Sequence, residues 1–90
     1  MDHYFEAVPL LGNVAVSRHA QSQMKKENIS QEEFELVLLH PIRKDVPDGM
    51  DVIWRERGGI RLVIQLNPKP FRGAKLVVTV YRVKIQEKVR

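Results

Sequence analysis

No cysteine occurs anywhere in the 90-residue chain, which excludes a disulfide framework, a thiolate metal site and a thiol nucleophile. A reducing cytoplasm is the location that this absence leads one to expect. Long apolar runs are also missing: none approaches the roughly 20 residues that a membrane span requires, so no membrane partner is expected. The opening Met1-Asp2-His3-Tyr4-Phe5-Glu6 has neither the basic segment nor the apolar core of a secretory leader. Histidine is scarce. His3, His19 and His40 show no i, i+4 pairing and no carboxylate grouping of metal-site form, so no metal and no cofactor are expected. A glycine-rich phosphate loop, a G-x-S-x-G elbow and a helix-turn-helix signature are absent as well.

What is present is one domain, residues 1–90, with an uneven charge. Residues 1–50 hold eight acids and five bases, net −3, whereas residues 51–90 hold three acids and ten bases, net +7. Such a split points to a polyanionic partner for the C-terminal half, phosphate being the commonest. A solvated sheet face with a basic tail is the plainer explanation of the same charge.

Periodicity divides the chain into an N-terminal arm (1–12), a helical half (13–40) and an antiparallel sheet (42–86). Val14 and Val16 allow a short strand. Ser17 is placed to cap a helix from Arg18 to Glu27, with Ala20 and Met24 on one face. Ser30-Gln31-Glu32-Glu33 has the form of a capping box and opens a second helix, which Pro41 stops. Beyond residue 42 the period falls to two. Ile42–Val46 reads as an edge strand, Met50–Arg57 as a strand with Val52 and Trp54 on its core face, and Gly58-Gly59 as a two-residue hairpin turn. Ile60–Leu66 alternates cleanly, Asn67–Gly73 is a proline-limited loop, and Lys75–Ile85 is a β-branched run suited to a central strand. The fold class expected is therefore α+β, two N-terminal helices on a four-stranded antiparallel sheet.

The same period sorts side chains by face. With Ile60, Leu62 and Ile64 under the helices, Arg61 points to the opposite face, shared by Thr79 and Tyr81 on the last strand. Arg55 and Arg57, across the hairpin, are expected nearby, with Lys75, Arg82 and Lys84 extending the basic surface. Guanidiniums, a hydroxyl and a phenol on one face suit a phosphodiester. Each residue also has a plainer use: Arg61 as cross-strand partner of Glu56, Tyr81 and Thr79 as strand formers, Trp54 as core. His19 lies in the first turn of the first helix, where the macrodipole favours a neutral imidazole base.

The stretch from Ser17 to Glu33, with its histidine-alanine pair, a methionine four residues later and the Ile29-Ser30 pair, resembles the opening of domain of unknown function family 4258. Val77-Val78-Thr79-Val80-Tyr81-Arg82 is similar to that family's final strand. The resemblance covers about residues 13–85. It implies the fold of RelE-type toxins, barnase and colicin nucleases, and a metal-independent ribonuclease that cleaves RNA by 2′-hydroxyl attack. By position it assigns His19, Thr79 and Tyr81 to catalysis, with a weaker match at Arg61. Lys26-Glu27-Asn28 departs from the family's more usual arginine-glycine pair. The partners implied are RNA and an acidic antitoxin or immunity protein, with the chain a monomer or weak homodimer. Two other readings compete: a non-catalytic module that binds nucleic acid or an acidic protein, and a structural domain whose last strand pairs with another copy.

Overall fold

Both helices start where a serine can accept a hydrogen bond from an otherwise unpaired backbone N–H. In the computed structural model, which describes residues 3–68 and 74–83, helix α1 (Arg18–Lys26) begins at Ser17, whose hydroxyl accepts from the Ala20 N–H. Helix α2 (Gln31–Leu39) begins at Ser30 with a complete capping box. The Ser30 hydroxyl accepts from the Glu33 N–H, and the Glu33 carboxylate accepts from the Ser30 N–H. Between the helices, Asn28 takes a left-handed φ of 57°. Ile29 N–H returns to Met24 O and Asn28 N–H to Lys25 O, the paired bonds of a Schellman turn. Its hydrophobic members, Met24 and Ile29, are both buried.

The strands are β1 (Tyr4–Val8), β2 (Gly12–Val16), β3 (Arg43–Pro47), β4 (Val52–Arg57), β5 (Ile60–Gln65) and β6 (Ala74–Arg82). They form one six-stranded sheet in the order β1-β2-β6-β5-β4-β3. This corrects the expected four-stranded antiparallel sheet in two ways. The segment read as an arm contributes β1, hairpinned to β2, and β2 runs parallel to β6. The alternation that would announce β1 is broken at Ala7, which sits at φ 55° where the β1–β2 register slips. β6 is central, between β2 and β5. Gly58 and Gly59, at φ 59° and 80°, make the tight β4–β5 turn in the conformation that two-residue hairpins favour. The loop expected at 67–73 is described only as far as Pro68, and the expected end of the sheet at residue 86 lies outside the described residues.

Both helices lie on one side of the sheet. Ala20, Met24, Phe34, Val37 and Leu38 pack there against Val14, Val16, Ile53, Leu62, Ile64, Val77 and Val80, all buried. Phe5 of β1 meets Phe34 of α2 with ring centroids 5.8 Å apart, an arrangement that adds to simple burial. A bulge at β6 lets Val77 and Val80, three residues apart, both face the helices, because Ile64 pairs with Val77 while Val63 pairs with Thr79. No helix among the described residues is long and apolar enough to cross a membrane.

The Glu33 carboxyl is held below the ordinary carboxylate range, first by the Ser30 backbone N–H and then by the nearby Arg82 guanidinium. A carboxyl lowered in the folded state stabilises the fold above its unfolded pKa and loses that contribution as pH falls through the lowered value. Glu33→Gln can keep the reciprocal bond but not the charge. Urea midpoints of the two proteins should differ at neutral pH and converge once pH drops below the carboxylate range. An unchanged gap at acid pH would deny Glu33 this role.

Candidate nucleic-acid interface

The face of the sheet away from the helices carries side chains in cross-strand rows. Glu56 of β4 pairs with Arg61 of β5, which pairs with Tyr81 of β6. The next row runs from Val46 of β3 through Trp54 and Val63 to Thr79. Trp54 therefore belongs to this outer face, half-buried, and not to the core as its phase with Val52 suggested. The β4 residues that point inward are Ile53 and Arg55. An arginine at an inward position disguised which face of β4 was the buried one.

Arg61 is the centre of the cluster. Its guanidinium donates to Glu56 Oε1 from Nη2 at 2.8 Å and from Nε at 3.2 Å, and Nη1 reaches the Tyr81 hydroxyl at 3.4 Å. The guanidinium carbon sits 3.9 Å from the Trp54 ring centroid and 6.0 Å from that of Tyr81, within the range of cation–π attraction. The hydrogen bond to Glu56 raises the already high pKa of Arg61, with a smaller contribution from Tyr81. Cation, carboxylate and phenol are thus linked in one chain across three strands, beside an indole. Such a surface can stack a planar base, and the guanidinium can turn to a phosphate once Glu56 gives way.

The remaining residues expected at the site are placed differently. Arg55 is 1 % exposed. It donates to Asp45 (Nε to Oδ1, 2.9 Å), to Leu38 O (Nη1, 2.6 Å) and to Pro9 O (Nη2, 3.0 Å), so it cannot belong to the outer surface with Arg61. Arg57 Nη1 donates to His40 O, beyond the last turn of α2. Arg82 donates to Glu27 O and Asn28 O at the end of α1. Three arginines expected on the binding face thus serve the carbonyl ends of the two helices, where positive charge is favoured by the peptide dipoles. Lys75 is in register with the buried Val14, on the helix side. Thr79 keeps its place on the outer face, opposite Val63. His19 is exposed in the first turn of α1 and makes no hydrogen bond to Arg61, Thr79 or Tyr81. Lys84 lies outside the described residues.

Trp54 is the member of the cluster that the sequence pattern placed on the other face. The expected cross-strand pairing of Arg61 with Glu56 is present, because the register set by Gly58-Gly59 puts the two directly opposite. Among the described residues no three His, Asp or Glu side chains are grouped to hold a metal ion. Comparison with protein-family models, with curated proteins and with solved structures finds no match.

Two outcomes follow from this geometry. Arg55→Ala should destabilise the fold by about 2–4 kcal/mol, because it leaves the Leu38 and Pro9 carbonyls and the partly exposed Asp45 carboxylate without their donor, as measured by urea denaturation. A loss below about 1 kcal/mol would mean that Arg55 bears little of the structure. Arg61→Ala removes a partly exposed pair and two cation–π contacts, so it should cost about 0.5–1.5 kcal/mol. Because Trp54 is the sole tryptophan, its emission should also move to the red as the ring loses its cover, and unshifted emission would contradict the stacking.

Proposed function

We propose that the chain is a single-stranded RNA-binding module whose outer sheet face stacks bases on Trp54 and Tyr81 around Arg61. The observation that carries this reading is the 3.9 Å approach of the Arg61 guanidinium to the Trp54 ring on the face opposite α1 and α2. Exposed aromatics on a sheet are a recurrent platform for unstacked bases, each worth about 1–3 kcal/mol by alanine substitution. The net +4 charge and the +7 of residues 51–90 favour a polyanion. The resemblance of Ser17–Glu33 and Val77–Arg82 to family 4258 favours RNA among polyanions. A cytoplasmic location goes with this reading, and an acidic protein that mimics RNA would compete for the same face.

Cleavage is the second reading, favoured by the hydrogen-bonded set of Glu56, Arg61 and Tyr81. There Glu56 would take the 2′-hydroxyl proton, Arg61 would stabilise the phosphorane, and Tyr81 would protonate the leaving oxygen, giving a 2′,3′-cyclic phosphate. His19 has no part in that set. Binding ranks above cleavage because Glu56 already neutralises the cation such a reaction needs.

Titration of Trp54 fluorescence with single-stranded RNA tests both. Binding should quench the emission, weaken by about 0.7 log units per tenfold salt for each phosphate contacted, and fall tenfold or more in Arg61→Ala and, read from the anisotropy of labelled RNA, in the tryptophan-free Trp54→Ala. The RNA should stay intact in excess EDTA. Cyclic-phosphate products lost in Tyr81→Phe and Glu56→Gln would promote the enzymatic reading, and an unquenched Trp54 with wild-type affinity in the variants would remove the face from consideration.

A further inference from the structure

On the helix side, remote from Trp54 and Arg61, a cleft of about 660 Å³ opens between α1 and the start of α2. Arg18, Gln21 and Lys25 line it from one stripe of α1, at i, i+3 and i+7. Met24 and Ile29, both buried, give it an apolar lining, and Gln31 of α2 borders it as well. Among the described residues no acid contributes to its lining. The size falls within the range of small-molecule sites, and so does the mix of apolar lining with a few convergent polar groups.

Two observations set this cleft apart from an ordinary surface groove. First, Arg18 and Lys25 make no ion pair and no side-chain hydrogen bond among the described residues, whereas Arg55, Arg57, Arg61 and Arg82 are all engaged. Second, Gln31 Oε1 is buried and has no hydrogen-bond partner among the described residues. Its orientation is fixed, because Gln31 Nε2 donates to Glu35 Oε2 at 2.7 Å. A flipped amide would set carbonyl against carboxylate. A buried acceptor without a donor is costly, and a ligand N–H or O–H that displaces its cover would satisfy it.

The geometry points to a binding site for a small phosphorylated molecule of nucleotide size in this cleft. The phosphate lies between Arg18 and Lys25, the planar body rests on Met24 and Ile29, and a ring or sugar donor bonds Gln31 Oε1. This site is separate from the outer sheet face and stands whether or not RNA binds there.

The test is an amide-resolved NMR titration of the full chain at fixed ionic strength with adenosine monophosphate, guanosine monophosphate or inorganic phosphate. Saturable shifts confined to residues 18–31 are expected, with a nucleotide binding more tightly than phosphate. Arg18→Ala with Lys25→Ala should weaken both ligands by about tenfold or more, as loss of two charge-assisted contacts implies. Gln31→Leu should weaken the nucleotide and leave phosphate unchanged. Three results would overturn the proposal: no saturable shift, shifts confined to β4–β6, or equal affinity for phosphate and nucleotides with Gln31→Leu silent. Shifts confined to β4–β6 would place the ligand on the proposed RNA face.

Discussion

A guanidinium that is 1 % exposed must satisfy its donors within the protein, and Arg55 does so by tying three parts of the chain to β4. Its partners are the Asp45 carboxylate on edge strand β3, the Leu38 carbonyl in the last turn of α2, and the Pro9 carbonyl between β1 and β2. Of the three, the Pro9 carbonyl is the distant one, 46 residues from Arg55 in sequence. Asp45 reaches Arg55 because the β3–β4 register slips between Arg43 and Val46 and Asp45 adopts φ 55°, a conformation that aspartate tolerates better than most residues. A bulge on an edge strand has turned a surface acid inward. A one-residue slip of β4 would put Arg55 on the outer face and Trp54 in the core, so the bonding of Arg55 also secures the placement of the outer cluster.

The same logic extends to the other arginines of the sheet. A helix ends with carbonyls that lack intrahelical partners, and here the partners come from the strands beneath. Arg57 and Arg55 serve α2, and Arg82 serves α1. Much of the positive charge of residues 51–90 thus has a use inside the fold. Charge counted along a sequence cannot distinguish an arginine that caps a helix from one that awaits a ligand. Both look like a basic strand.

That ambiguity explains which parts of the structure were legible beforehand. Ser17, Ser30, Pro41 and Gly58-Gly59 act through local geometry, so the helix starts and the β4–β5 hairpin followed directly from residue types. The alternation of Ile60 to Ile64 gave the outward direction of Arg61, and with it the partnership with Glu56 and Tyr81. Tyr4–Val8 does not show as a strand because a bulge at Ala7 interrupts its alternation, although its partner β2 follows directly in the chain. Trp54 was assigned to the wrong face because polarity is a good guide to exposure only when buried charges are rare, and β4 contains one. Arg18 and Lys25, at i, i+7 on α1, look in sequence like any solvated helix face, and only the cleft beside them distinguishes them.

The balance of forces on the outer face follows from these placements. Arg61 is the one arginine of β4–β6 whose position on that face is described, and Glu56 shares its charge. A phosphate arriving there must displace a carboxylate at 2.8 Å, so the electrostatic gain is largely an exchange of one anion for another. Base stacking displaces no carboxylate: a base can lie on the Arg61 guanidinium that covers Trp54 or on the Tyr81 ring. Affinity at this face should therefore come more from stacking than from counterion release, with a weak dependence on salt for so basic a protein. A steep dependence would instead require cations from beyond β4–β6, and that would move the electrostatic part of the interface away from Arg61.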